Sequence, residues 1–358
     1  MEKIMADIFL HLLKKSECTH DWENAVEQQL KDENGNFCGS TLVCPKCGIT
    51  AIEDTINSEL DNNNIEQKLK LDCFYSAAIG DSLGESFEFK KAKDIKKHYI
   101  MNPSQIPYDY KTWKEIPVGT ITDDFSQMLL KIECYSDNSL IYSKELSKWL
   151  MGKYWTNGKM FDCGNQTFAA IDHLERTGKV LMNPNGSGNG SLMSTLPVAF
   201  QPYGNIGRDS YYFSHFTHNS HDALNSCNFY CKLVHRLWKS RIDDTYDMMF
   251  EFENLWDVVA YEIDFLPHCV NVTGTGYCID SLVLAYKHIM TSESFVEAIT
   301  KSILFGFDTD TNSSILAPIA ALVFGIDDIP QEWHDIMKVN EVNPYYNKLF
   351  KDYLPICK

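Results

Sequence analysis

The chain has 358 residues and a mass of 41.1 kDa, with 44% hydrophobic and 13% aromatic side chains. That is enough apolar material for a packed core and too much for a disordered chain. Its 49 acidic residues outnumber 32 Lys and Arg, and the net charge of −17 argues against nucleic acid as a partner, because duplex binding depends on neutralising phosphates. No apolar run reaches the roughly 18 residues of a membrane span, so no membrane partner is expected. The opening stretch 4–13 carries Asp7 and His11 and lacks a small-residue cleavage site, so no signal peptide is expected either. Twelve cysteines in this context point to the cytoplasm or another reduced intracellular compartment, with metal-bound or buried thiols.

Taken in chain order, residues 1–60 read as a small metal-binding module. Cys44-Pro45-Lys46-Cys47-Gly48 forms the knuckle that presents two thiolates to one ion, and Cys18-Thr19-His20-Asp21-Trp22 supplies a second pair. The expected shell is Cys18, His20, Cys44 and Cys47 around Zn²⁺, with Cys38 a competitor for one position. The pattern resembles zinc-ribbon modules appended to larger enzymes. Five basic against eleven acidic side chains favour a structural or protein-docking role for it over nucleic-acid binding. Asp61-Asn62-Asn63-Asn64 has poor helix propensity and reads as a linker over 61–67.

Residues 68–358 read as one mainly all-α domain. Stretches 221–238 and 280–290 carry apolar residues at helical spacing, while long loops are expected around 100–120 and 183–218. Pro318 should kink the last apolar helix or reset its start.

Three acidic segments in this domain stand out. Gly80-Asp81-Ser82-Leu83-Gly84 combines close-packing small residues with a carboxylate, and Glu88 follows shortly after. Thr122-Asp123-Asp124 taken alone is a helix N-cap with acids in the first turn. Asp308-Thr309-Asp310-Thr311 opens a second small-residue helix. The two acid-hydroxyl clusters together offer four carboxylates, which repel unless cations compensate them. An all-oxygen donor set suits Mg²⁺ or Mn²⁺, and the count fits two ions about 4 Å apart sharing a bridging carboxylate.

These segments, in this order and with Gly188-Asn189-Gly190-Ser191-Leu192-Met193 and Ser214-His215-Phe216-Thr217-His218 between them, resemble the ADP-ribosylglycohydrolase family, which includes the dinitrogenase reductase-activating glycohydrolases. The likeness covers roughly residues 70–330. It implies an all-α domain with a dinuclear Mg²⁺ or Mn²⁺ centre that removes ADP-ribose from modified proteins or small molecules. It makes Thr122, Asp123, Asp124, Asp308, Asp310 and Thr311 the metal ligands. Two positions compete for the catalytic carboxyl: Glu88, which matches the serine-type branch, and Asp162, which matches the nitrogenase-regulating branch and is ranked ahead because of its family-like Gly164-Asn165-Gln166-Thr167 turn. Ser187, Gly188, Asn189 and Gly190 read as a flexible loop whose N–H groups cradle the pyrophosphate, and the resemblance brings His218 to the ADP-ribose. Phe125 and Ser194 depart from the family pattern, which has threonine and often arginine there. His215, His218 and His221 mimic a metal site but have no acid or thiol to complete it, and Cys227, Cys231 and His235 read as one packed helix face. A different glycosidic substrate, or a catalytically silent scaffold that binds ADP-ribose and recruits partners through the zinc module, are the competing readings.

Overall fold

The computed structural model describes residues 26–31, 37–43, 51–105, 116–137, 140–243, 246–268 and 271–350. The chain divides into two compact units, residues 1–68 and 69–358. In the first, β1 (Val26–Lys31) pairs antiparallel with β2 (Phe37–Val43), Val26 opposite Val43, with a register irregularity at Leu30/Lys31. Cys38 lies in β2, whereas Cys18, His20, Cys44 and Cys47 lie outside the described residues.

Helix α1 (Ala51–Glu85) runs unbroken through 61–67, so the asparagine stretch expected as a linker is helical. Asparagine propensity costs well under 1 kcal/mol per residue, a weak bias that tertiary context overrides. Here the context is the C-terminal part of α1, which is buried continuously from Asp72 to Glu85.

The second unit holds α2 (Lys97–Met101), α3 (Asp123–Ser136), α4 (Tyr142–Leu150), α5 (Asn165–Thr177), α6 (Leu196–Ala199), α7 (Tyr203–His215), α8 (His221–Asp243), α9 (Met248–Ile263), α10 (Cys278–Met290), α11 (Phe295–Phe305), α12 (Thr309–Phe324), α13 (Gln331–Ile336) and α14 (Pro344–Phe350). Along α8 the buried Ala223, Cys227, Tyr230, Val234 and Leu237 recur every three or four residues, so one stripe faces the core. Cys227 and Cys231 pack there, and the His235 ring meets the Ala199 carbonyl at 2.7 Å. The expected 183–218 loop is irregular mainly in its first part, because α6 and all of α7 fall inside it.

At the centre lies α12, buried from Thr309 to Val323 and packed against α3, α8, α9, α10 and α11. A helix surrounded in this way need not be amphipathic, which is why its sequence is apolar on every face from Ile315 onward. Pro318 sits inside it without resetting its start at Thr309. Where α1 crosses the N-terminus of α12, a Cβ on Gly80 would fall 2.4 Å from the Ser313 carbonyl oxygen, and one on Gly84 would fall 2.4 Å from the Asp310 Cα. Only glycine lets the two backbones approach so closely. That contact, clamped by the Thr309 hydroxyl donating to the Gly84 carbonyl at 2.7 Å, brings the end of α1 beside the start of α12.

Candidate functional site

Three element ends converge: the C-terminal part of α1, the N-terminus of α3 and the N-terminus of α12. Thr122 is the N-cap of α3. Asp81 reaches across from α1 and accepts from the Thr122 N–H at 2.9 Å, the Thr122 hydroxyl at 2.8 Å and the Phe125 N–H at 3.1 Å. On the α12 side, the Thr311 hydroxyl donates to Asp124 at 3.3 Å, and the Thr311 N–H donates to Asp310 at 3.0 Å.

Carboxylate oxygens gather here in two groups, each within 4.8 Å: Asp81 with Asp124 and Asp310, and Glu88 with Asp308 and Asp310. Asp310 belongs to both. Burial, then the neighbouring charge of Asp310, raises the Asp81 and Asp308 carboxyls to about 7, while hydrogen bonds from Thr122 and Phe125 to Asp81, and from Asn189 to Asp308, act the other way. Burial and four neighbouring carboxylates push Asp124 well above its ordinary range. One Asp124 oxygen, Oδ1, is buried with no hydrogen-bond partner. An orphaned buried carboxylate oxygen inside a cluster of repelling acids, with only hydroxyl and carboxylate donors around it, fits hard divalent cations.

A pocket of about 440 Å³ opens over this cluster, within the usual range for small-molecule sites. Glu88, Asp123, Asp162, Gly188, Asn189, Gly190, His218, Asp308, Asp310 and Thr311 all line it. Thr122 and Asp124 are buried and join them through the Thr311–Asp124 and Thr122–Asp124 contacts. Asp123 belongs to neither carboxylate group, and its Oδ2 accepts from the Gly164 N–H at 3.4 Å. Glu88 sits with Asp308 and Asp310, whereas Asp162 lines the wall beside Gly164 and is in neither group.

Ser187 is not brought to the pocket. Its hydroxyl turns to Ser220 and Asp222, at 3.0 and 3.3 Å. Nor is the glycine stretch an untethered loop. Gly188 bridges to Tyr277, the Cys278 N–H donates to the Ser187 carbonyl, and the Asn189 N–H is committed to the Gly276 carbonyl at 2.9 Å. The Asn189 amide donates to Asp308 at 2.8 Å and so fixes that carboxylate. The buried His218 ring packs against Gly188 and Gly190, and burial and then Lys131 lower it to about 3, which keeps it neutral. His215, His218 and His221 do not form a ligand group among the described residues.

Two departures from the family pattern have visible consequences. Phe125 is buried against Tyr346 and Phe350. The Ser194 hydroxyl accepts from the buried Lys131 ammonium at 2.7 Å. The residue missing from the ligand set expected from the sequence is Asp81, although its segment stood out there. Its signal was an acid held between Gly80 and Gly84 on an otherwise apolar, small-residue helix face.

A mainly helical fold with a carboxylate cluster at converging helix ends, opening into a pocket walled by a glycine stretch, defines the class. The ADP-ribosylglycohydrolase family model matches residues 63–354. The chain is 24% identical over 278 residues to the ADP-ribosylarginine hydrolase Tri1 of Pseudomonas putida (strain GB-1), covering 72% of this chain and 70% of that one. It is 22% identical over 268 residues to the ADP-ribosyl-[dinitrogen reductase] glycohydrolase of Rhodospirillum rubrum, covering 74% and 88%. A solved structure titled ADP-ribosylglycohydrolase-related protein complex superposes with a TM-score of 0.64 at 19% identity, over 80% of this chain and 99% of that one. The chain belongs to the ADP-ribosylglycohydrolase family, and it is a glycohydrolase. Among the described residues no helix is long and apolar enough to cross a membrane.

Proposed function

We propose that the protein removes ADP-ribose from arginine side chains of modified proteins by hydrolysing the bond between the ribose C1″ and the guanidine nitrogen, with the help of two Mg²⁺ or Mn²⁺ ions. The observation that carries this reading is Asp310, shared by two carboxylate groups on the floor of a pocket of small-molecule size. The linkage is taken from the Pseudomonas putida relative, which is an ADP-ribosylarginine hydrolase.

Thr122, Asp123, Asp124, Asp308, Asp310 and Thr311 would hold the ions, with Asp81 and Glu88 completing the two groups. Bound there, divalent cations offset the clustered charge and supply a Lewis acid for the ribose hydroxyls and the attacking water. The protein's own part is positional and protolytic. The Gly188 and Gly190 stretch and the neutral His218 receive the diphosphate without adding a charge that water would have to compensate. To Glu88, whose carboxylate adjoins Asp308 and Asp310, this reading gives the transfer of the proton to the departing guanidine nitrogen. In the balanced reaction the C1″–N bond breaks, a C1″–OH bond forms from water, and the water's other proton ends on the guanidine. Asp162, on the wall beside Gly164, orients substrate.

The test is product analysis with an arginine-ADP-ribosylated protein. Intact ADP-ribose and unmodified arginine must appear together, Glu88→Gln should lose turnover far more than Asp162→Asn, and phosphoribosyl-arginine as product would contradict glycosidic cleavage. Binding of ADP-ribose without turnover on any linkage would favour the scaffold reading. For residues 1–60 the corresponding inference is one Zn²⁺ held by Cys18, His20, Cys44 and Cys47, in a module that carries structure or docks a protein partner. Elemental analysis should find one zinc per chain, lost in the Cys44→Ser/Cys47→Ser double variant.

A further inference from the structure

Five non-glycine residues among those described have backbone φ in the left-handed region. Asn157 and Asp264 are residue types that tolerate it. Tyr154 is buried, and its hydroxyl bonds to Glu145. Phe89 (φ 60°) and Phe307 (φ 66°) are different: they have no polar atom to bond a turn, and they stay exposed at 66% and 38%. Both line the pocket, and among the described residues they are the only Phe, Tyr or Trp side chains that do.

Their backbones are pinned together. The Phe89 N–H donates to the Phe307 carbonyl at 2.6 Å, and the Phe307 N–H donates to the Lys90 carbonyl at 2.8 Å. Phe89 directly follows Glu88 and Phe307 directly precedes Asp308, the two residues whose carboxylates meet at Asp310. The rings therefore flank the corner where the proton-transferring carboxylate sits. Strained backbone of this kind clusters at active sites and ligand clamps, and here it falls on exposed aromatic residues beside the carboxylate cluster.

We propose that Phe89 and Phe307 form the subsite for the group from which ADP-ribose is cut, and that their faces select a planar, delocalised cation there. The inference rests on the reading under Proposed function. With the ribose over the carboxylates and the diphosphate toward Gly188 and Gly190, the substituent on C1″ is the part that meets the aromatic corner. A guanidinium suits it, because such ions bind the negative face of an aromatic ring while the adjacent acids supply counter-charge. Phe89 and Phe307 are then specificity-determining residues that make no contribution to holding ADP-ribose itself.

The test compares two measurements on each variant: KM for an arginine-ADP-ribosylated peptide, and Kd for free ADP-ribose by calorimetry with Mg²⁺ present. Phe89→Leu and Phe307→Leu keep apolar bulk and remove the π face, so KM should rise about tenfold while Kd for ADP-ribose stays within about twofold, and Phe89→Tyr should restore the wild-type KM. Phe307→Gly also removes the ring but releases the strained φ, so its melting temperature should equal or exceed that of wild type, which separates lost recognition from lost folding. Unchanged KM in the leucine variants overturns the proposal, and so does a parallel loss of ADP-ribose affinity, which would assign the rings to the product side. A wild-type protein that releases nothing from the arginine-linked peptide removes the underlying reading and this inference with it, an outcome visible before any variant is made.

Discussion

Thr122 is held twice by one carboxylate: Asp81 accepts both its N–H, at 2.9 Å, and its hydroxyl, at 2.8 Å. The hydroxyl hydrogen is thereby committed to α1, and the oxygen accepts from the Asp124 N–H at 3.3 Å. The start of α3 is set by a residue forty-one positions earlier in the chain.

Replacing Asp81 with Asn should therefore cost more than a charge. In one amide orientation NH₂ faces the N–H groups of Thr122 and Phe125, and in the other it faces the Thr122 hydroxyl. Leaving a buried donor unpaired costs about 1–3 kcal/mol. Urea unfolding in saturating Mg²⁺ should show a loss of that order, with turnover reduced as well. Wild-type stability and activity in Asp81→Asn would contradict this role.

The Asp124→Asn variant should behave in the opposite way. Asp124 is buried among four like charges, so removing its charge should raise the stability of metal-free protein. Wild type should gain about 2.7 kcal/mol for each Mg²⁺ bound at a hundred times its Kd, and Asp124→Asn should gain much less. Melting curves in EDTA and in Mg²⁺ report both effects, and an unchanged Mg²⁺ increment would remove Asp124 from the ligand set.

Gly84→Ala tests the helix crossing. The added methyl would overlap the Asp310 Cα, and overpacking of this kind typically costs about 1–3 kcal/mol. Because the displaced backbone carries Asp310, Mg²⁺ affinity should fall together with stability. Gly178→Ala offers a control with open space around it but a positive φ, so it should lose some stability and leave Mg²⁺ affinity intact.

A pH prediction comes from α4, remote from the carboxylate cluster. Burial alone would raise the Glu145 carboxyl, but hydrogen bonds from Lys148, Lys153 and Tyr154 outweigh it and hold it at about 2, below the ordinary 4.5. A carboxyl depressed in the folded state contributes stability above pH 4.5 and loses it as pH falls toward 2. Glu145→Gln should therefore be destabilised at pH 6, by about 1.5–3 kcal/mol for bonds to a charged group, and the gap should narrow as the pH falls below 4.5. A gap that stays constant over that range would contradict the ionic origin.

Much of the site was legible because acid-hydroxyl clusters at helix starts are local patterns. Thr122-Asp123-Asp124 and Asp308-Thr309-Asp310-Thr311 do open α3 and α12, and the pocket gathers Glu88, Asp162 and His218 around them. What stayed hidden depended on long-range geometry. Ser187 looks like an anion-loop residue, yet its hydroxyl is taken by Ser220 and Asp222, thirty-three and thirty-five positions on. Asn189 reads as a backbone donor, but its side chain serves Asp308 instead. The asparagines at 62–64 suggested a break because propensity is local, and helix α1 carries through them. Nothing in the residue type of Phe89 or Phe307 announces a left-handed backbone, since phenylalanine disfavours it.

The most direct measurement is the rate of ADP-ribose release from an arginine-ADP-ribosylated protein by wild type and by Asp310→Asn, each in Mg²⁺ and in EDTA. Wild type should turn over in Mg²⁺, stop in EDTA and recover when Mg²⁺ is restored, while Asp310→Asn should stay folded and inactive throughout, because both carboxylate groups lose their shared member. Wild-type release that continues undiminished in EDTA, or an Asp310→Asn variant as active as wild type, would contradict a two-cation glycohydrolase centre built on Asp310.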